Sequence, residues 1–90
     1  MEHKCVLTGP AIVVLDRGFV YVGNATVDGD WCLIANAKNI RYWGTNNGLG
    51  ELVNGPTKDT KLDAVGNVRA PLRAVISIID VVAEKWNGVL

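Results

Sequence analysis

Six side chains between positions 41 and 61 stand out for the chemistry they carry: Arg41, Trp43, Asn46, Asn47, Lys58 and Lys61. A guanidinium and two ammonium groups supply positive charge, an indole supplies a face for stacking, and two carboxamides supply hydrogen bonds. Together they suit a small phosphate-bearing or nucleotide-like ligand. Between them runs Gly44-Thr45-Asn46-Asn47-Gly48-Leu49-Gly50, and successive N–H groups in such glycine-rich loops form concave anion sites. If Leu49 to Asn54 forms helical turns, their first N–H groups add to that site. From Lys38 to Lys61 the chain holds four positive residues (Lys38, Arg41, Lys58, Lys61) against two negative ones (Glu51, Asp59). The loop lacks the Gly-Lys-Ser/Thr spacing of a phosphate loop and the glycine fingerprint of a dinucleotide fold, so a plain structural connector is the competing reading.

Catalytic constellations are absent from the pattern. Nucleophilic catalysis needs a hydroxyl or thiol beside a general base, and the single histidine is His3, at the N-terminus. Asp28 and Asp30 flank Gly29, as hairpin turns require. Asp59 and Asp63 are expected on one strand face, and Asp80 is expected to pair with Arg69, Arg73 or Lys85. Cys5 and Cys32 are too few for a disulfide framework or a zinc site, and each suits a small buried hydrophobe in a reducing cytoplasm; a bridge between them stays open. No enzyme activity, cofactor or metal is expected.

The elements that must position these residues are strands. Val, Ile and Thr make up 24 of the 90 residues, and β-branched side chains favour the pleated surface of a sheet. Ten glycines and eight asparagines imply many tight turns and short strands. Strands are expected at His3 to Leu7 and Ala11 to Leu15, then, after a turn at Asp16-Arg17-Gly18, at Phe19 to Val27. Asp28-Gly29-Asp30 turns the chain into Trp31 to Ile34, and Asn39 to Trp43 follows, with Tyr42 and Trp43 on opposite faces. Gly44 to Pro56 is a loop with one or two helical turns at Leu49 to Asn54, stopped by Gly55 and Pro56. Lys58 to Val65, Val68 to Ala70 and Leu72 to Val82 read as further strands, with Pro71 at an edge or bulge and Val75 to Ile79 buried. A short helix at Val81 to Trp86 ends the pattern, Trp86 anchoring it. Trp31 is expected in the core, whereas Trp43 is a candidate to meet a ligand or partner. The whole is one all-β domain over residues 1–90, a small barrel or sandwich of about six to seven short strands.

One stretch bears a family resemblance. Ala37-Lys38-Asn39-Ile40-Arg41-Tyr42-Trp43, followed by Gly48, Gly50, Leu52 and Gly55-Pro56, resembles the central motif of a family of small phage, prophage and bacterial proteins of unknown function. The likeness covers Asn36 to Lys61, with a looser match through Leu72 to Val82 and Trp86. Asn46-Asn47 departs from it, standing where the family pattern has a charged residue. A phage setting implies a protein that acts by binding, either sequestering a small anionic ligand or blocking a host protein in the host cytoplasm.

Charge and hydropathy set the remaining bounds. Nine basic residues balance nine acidic ones, which removes the field that general nucleic-acid or anionic-membrane binding needs. The longest apolar run, Ala74 to Ala83, is broken by Ser77 and Asp80 and is half the roughly 20 residues of a membrane span. Met1-Glu2-His3-Lys4 leads into too short an apolar stretch for a signal peptide, so a cytoplasmic protein is expected. A core this small gains from self-association, so a homo-oligomer is the expected assembly. An assembly protein whose aromatic strand faces are subunit contacts is the alternative.

Overall fold

Asp16-Arg17-Gly18 turns the chain between β1 (Val6–Leu15) and β2 (Val20–Asp28). Arg17 and Gly18 take φ of 63° and 83°, and the Leu15 N–H donates to the Phe19 carbonyl at 2.8 Å, closing the loop. Gly29-Asp30 makes the second hairpin, opposing Asp28 to Trp31 at the start of β3 (Trp31–Tyr42). Two-residue loops match the twist of their strands when the first residue has positive φ, and Gly29 sits at 60°. The computed structural model, which describes residues 6–46 and 48–89, adds β4 (Lys61–Pro71) and β5 (Val75–Asp80). The five strands form one antiparallel sheet in the order β4-β3-β2-β1-β5.

The all-β architecture agrees with the composition, but among the described residues five strands stand where six or seven were expected. The chain runs on through irregularities that read as breaks. β1 continues through Gly9-Pro10, its register shifting between Leu7 and Gly9, where Gly9 has φ 80°. β3 joins Trp31–Ile34 to Asn39–Tyr42 across Asn36, at φ 53°, whose N–H donates to Asn67 Oδ1 at 3.1 Å. β4 likewise continues through Gly66-Asn67. A bulge admits an extra residue and bends the strand without ending its ladder. Pro71 closes β4, an edge strand, and Leu72–Ala74 forms a 3-10 turn, so the strand expected from Leu72 starts only at Val75. β5 is a partly exposed edge rather than a buried strand. Of the first expected strand, His3 to Cys5 lie outside the described residues.

Three residues joining opposite edges dictate the shape of the sheet. From Pro71 to Val75 there are four Cα steps, a reach of at most about 15 Å. The edges of a flat five-stranded sheet stand about 19 Å apart. The sheet therefore curls, although β4 and β5 do not pair and it stays open. Its inner face gathers Ala11, Val13, Ala25, Cys32, Ile34, Ala37 and Ala70, with Leu72, Val75 and Ile78 packed against them. Small side chains predominate because the curled strands approach closely. The other face carries Ile12, Val20, Val22 and Ile40 and is covered by Leu52, Val81 and Trp86. Leu52 comes from a 3-10 turn at Leu49–Asn54, and Trp86 from another at Ala83–Trp86, both where the sequence pattern puts helical turns. The Trp86 indole N–H donates to the Leu52 carbonyl at 2.9 Å, and the Val82 N–H to the Val53 carbonyl at 2.9 Å. Among the described residues no helix is long and apolar enough to cross a membrane.

Cys32 is a free thiol on the inner face, and its expected alternative partner Cys5 lies outside the described residues. Burial pushes the Cys32 thiol up from its ordinary range, which removes the reactive thiolate. The folded protein is expected to leave Cys32 unlabelled by a maleimide at neutral pH and to label it after denaturation. Peptide mapping distinguishes it from Cys5; labelling of Cys32 in the folded chain would show that the curl opens.

Candidate functional site

A bulge at the end of β3 gathers the aromatic and cationic residues. Ile40 opposes Leu62 and Tyr42 opposes Lys61, so Arg41 is the extra residue between them. Bulges re-aim the side chains they carry. Arg41 Nε donates to Asp63 Oδ2 at 2.8 Å, with both side chains about half exposed. An exposed pair contributes less than about 1 kcal/mol to stability, so its effect here is to fix the guanidinium's direction. Tyr42 and Trp43 are 58% and 40% exposed. Arg41, Tyr42, Trp43, Gly44 and Thr45 line an open recess of about 370 Å³.

Large apolar side chains in water are ordinarily mobile, but the backbone here is fastened from behind. The Thr60 hydroxyl donates to the Trp43 carbonyl at 2.7 Å, and the Thr57 hydroxyl to the Gly44 carbonyl at 2.6 Å. The Thr57 N–H donates to Thr60 Oγ1 at 2.9 Å and the Asp59 N–H to Thr57 Oγ1 at 3.1 Å, which shapes the turn carrying both hydroxyls. Gly44, at φ 66°, lets the two segments touch: a Cβ there would lie 2.5 Å from the Asp59 carbonyl carbon and 2.7 Å from the Thr60 nitrogen. Only glycine fits that approach without displacing backbone.

In the glycine-rich loop that follows, one backbone donor among the described residues is already taken. The Asn46 N–H donates to Glu51 Oε1 at 3.0 Å, and the Glu51 N–H to the Gly48 carbonyl at 3.2 Å. A carboxylate of the chain itself thus takes the donor that the loop composition offers to a phosphate. This is the favoured place for an acid, in the first turn of a helical segment.

The six expected site residues therefore divide. Arg41 and Trp43 meet at the recess, with Lys61 across the ladder from Tyr42. Lys58 is exposed in the turn between Thr57 and Thr60, and Asn46 is exposed in the loop; neither lines the recess. Asn47 lies outside the described residues. Tyr42, expected only as one of the aromatic strand faces, joins the recess, and Thr57, Thr60 and Asp63 are the partners that pattern analysis missed. A usable signal was present in Thr57-Lys58-Asp59-Thr60 directly after Gly55-Pro56, two hydroxyls bracketing a polar turn.

Three other expectations need correction. Asp59 lies in that turn before β4, so it shares no strand face with Asp63. Asp80 is exposed and forms no ion pair with any described residue. Trp31 is 48% exposed rather than in the core, with the Arg69 guanidinium 5.9 Å from its ring centroid. Its side chain follows the parity of Leu33 and opposes that of Cys32 and Ile34, which took the inner face. No protein family, curated protein or solved structure matches this chain, so the site is read from its own geometry.

Proposed function

We propose that this chain acts by binding, without turnover, and that Arg41, Tyr42 and Trp43 receive a small ligand combining a flat ring with negative charge, such as a nucleotide. One observation carries the reading: two aromatic rings and a guanidinium stand exposed on a backbone segment that two threonine hydroxyls and Gly44 hold in place. Preorganised aromatic area is what a stacking site needs, because little conformational freedom is lost when the ligand arrives. Arg41 supplies the charge: its Nε is committed to Asp63, and its terminal nitrogens, which hydrogen-bond to no described residue, remain for a phosphate. The likeness of Ala37–Trp43 to the phage-associated motif supports sequestration in the host cytoplasm as the setting.

Titration with purine and pyrimidine mononucleotides, followed by calorimetry, tests this. Trp43→Ala is expected to weaken binding by roughly 5- to 150-fold, the loss of one base-stacking contact of about 1–3 kcal/mol. Arg41→Ala is expected to weaken nucleotides more than the matching nucleosides, and the ligand is expected to be recovered unchanged. Absence of binding by every nucleotide, or binding indifferent to Trp43, would overturn the assignment.

A further inference from the structure

The two edges of the sheet are unequally protected. β4 carries Lys61, Asp63 and Arg69 and is bent at Val65-Gly66, devices that discourage another strand from adding to it. Between Arg73 and Asp80 the chain reads Ala-Val-Ile-Ser-Ile-Ile, with no charge at all. Among the described residues the outer side of β5 has no strand neighbour, and Ile76, the extra residue where the register shifts between Val14 and Leu15, is 67% exposed. This apolar stretch is bracketed by opposite charges. Arg73 and Asp80 are exposed and neither forms an ion pair with a described residue. Arg73 borders an open recess of about 490 Å³ with Asp30 and Leu72, which leaves room for an incoming carboxylate.

We propose that β5 is the contact through which two copies of this chain pair, antiparallel about a two-fold axis between Ile76 and Ser77. Such an axis makes one surface complementary to itself, each residue meeting the same partner twice. In this register Val75 opposes the partner's Ile78 and Ile76 the partner's Ser77, and Arg73, in the 3-10 turn just before the strand, comes to the end of the ladder beside the partner's Asp80. The two Ile76 side chains flank the axis and cover each other. A parallel arrangement would set Arg73 against the partner's Arg73, so the charge order selects the antiparallel one. One short strand pair is smaller than a permanent interface, so the dimer forms with rising concentration. β5 is an edge strand and the Arg41–Trp43 recess lies at the end of β3, three places away in the strand order, so either can fail without the other.

Sedimentation velocity from low micromolar to near-millimolar protein is expected to show a monomer–dimer equilibrium. Arg73→Asp or Asp80→Arg alone sets like charges together twice per dimer and is expected to weaken it roughly tenfold. The double reversal R73D/D80R restores opposite charges and is expected to return the affinity to within about threefold of the original. Both positions are exposed, and circular dichroism of each variant verifies the fold. A chain that stays monomeric throughout overturns the proposal. A dimer indifferent to the single reversals, or not rescued by the double one, overturns it equally.

Discussion

Trp86→Ala is expected to lower stability by about 3–5 kcal/mol, the range for deleting a large buried aromatic side chain. Small domains hold only about 5–15 kcal/mol in total, so this variant loses a large share of its stability and at least about 12 °C of melting temperature. The size follows from what the indole does. It is 1% exposed, fills the outer core between Leu52, Val81 and the sheet, and ties the 3-10 turn at Leu49–Asn54 to the C-terminal segment through its N–H. Trp86→Phe keeps most of the apolar contact and drops the hydrogen bond, leaving the Leu52 carbonyl unpaired, so a smaller loss of about 1–3 kcal/mol is expected. Urea denaturation of the three proteins measures both. Equal losses in the two variants would show that the hydrogen bond, rather than packing, holds the layer.

Gly44→Ala is expected to cost about 2–4 kcal/mol, combining the left-handed backbone penalty for a residue with a Cβ and the contact that Cβ makes. Its nearest neighbours would be backbone atoms of Asp59 and Thr60 at 2.5–2.7 Å, which cannot rotate away as a flexible side chain can. Gly48→Ala is the control: φ is 92° there, yet nothing lies within 4 Å of the added carbon. Its backbone, at φ 92° and ψ −175°, lies in a region that only glycine enters readily, so it carries only a conformational part of about 1–3 kcal/mol. Comparing denaturation midpoints isolates the contact, and similar losses would mean that the Thr57–Thr60 turn yields easily. Because Gly44 also lines the recess, its variant is expected to lose ligand affinity while Gly48→Ala retains it.

How much of this was legible in the sequence depends on whether a feature is local. The hairpin turns at Asp16-Arg17-Gly18 and Gly29-Asp30, the boundaries of Leu49–Asn54 before Gly55-Pro56, and the anchoring role of Trp86 follow from residue types within a few positions. Strand continuity does not. Gly9, Asn36 and Gly66 have the composition of turns, and only the strand alongside decides whether a left-handed residue ends a ladder or bulges within it. That ambiguity raised the expected strand count. Trp31 shows a related limit: its strand contains apolar residues on both parities, and three-dimensional curl selected Cys32 and Ile34 for the inside. Arg41 and Trp43 were readable as site candidates by chemistry alone, but the hydroxyls that fasten their segment lie far along the chain, Thr57 13 positions beyond Gly44 and Thr60 17 beyond Trp43. The Glu51 carboxylate was visible as a charge and not as the acceptor of the Asn46 N–H.

The bond between Leu52 and Trp86 has a consequence for synthesis. The two residues are 34 positions apart, and translation at about 5–20 residues per second separates their appearance by roughly 2–7 s. During that interval the strands of the nascent polypeptide emerge while their greasy outer flank still lacks Val81 and Trp86, the condition that recruits chaperones or invites clumping on crowded polysomes.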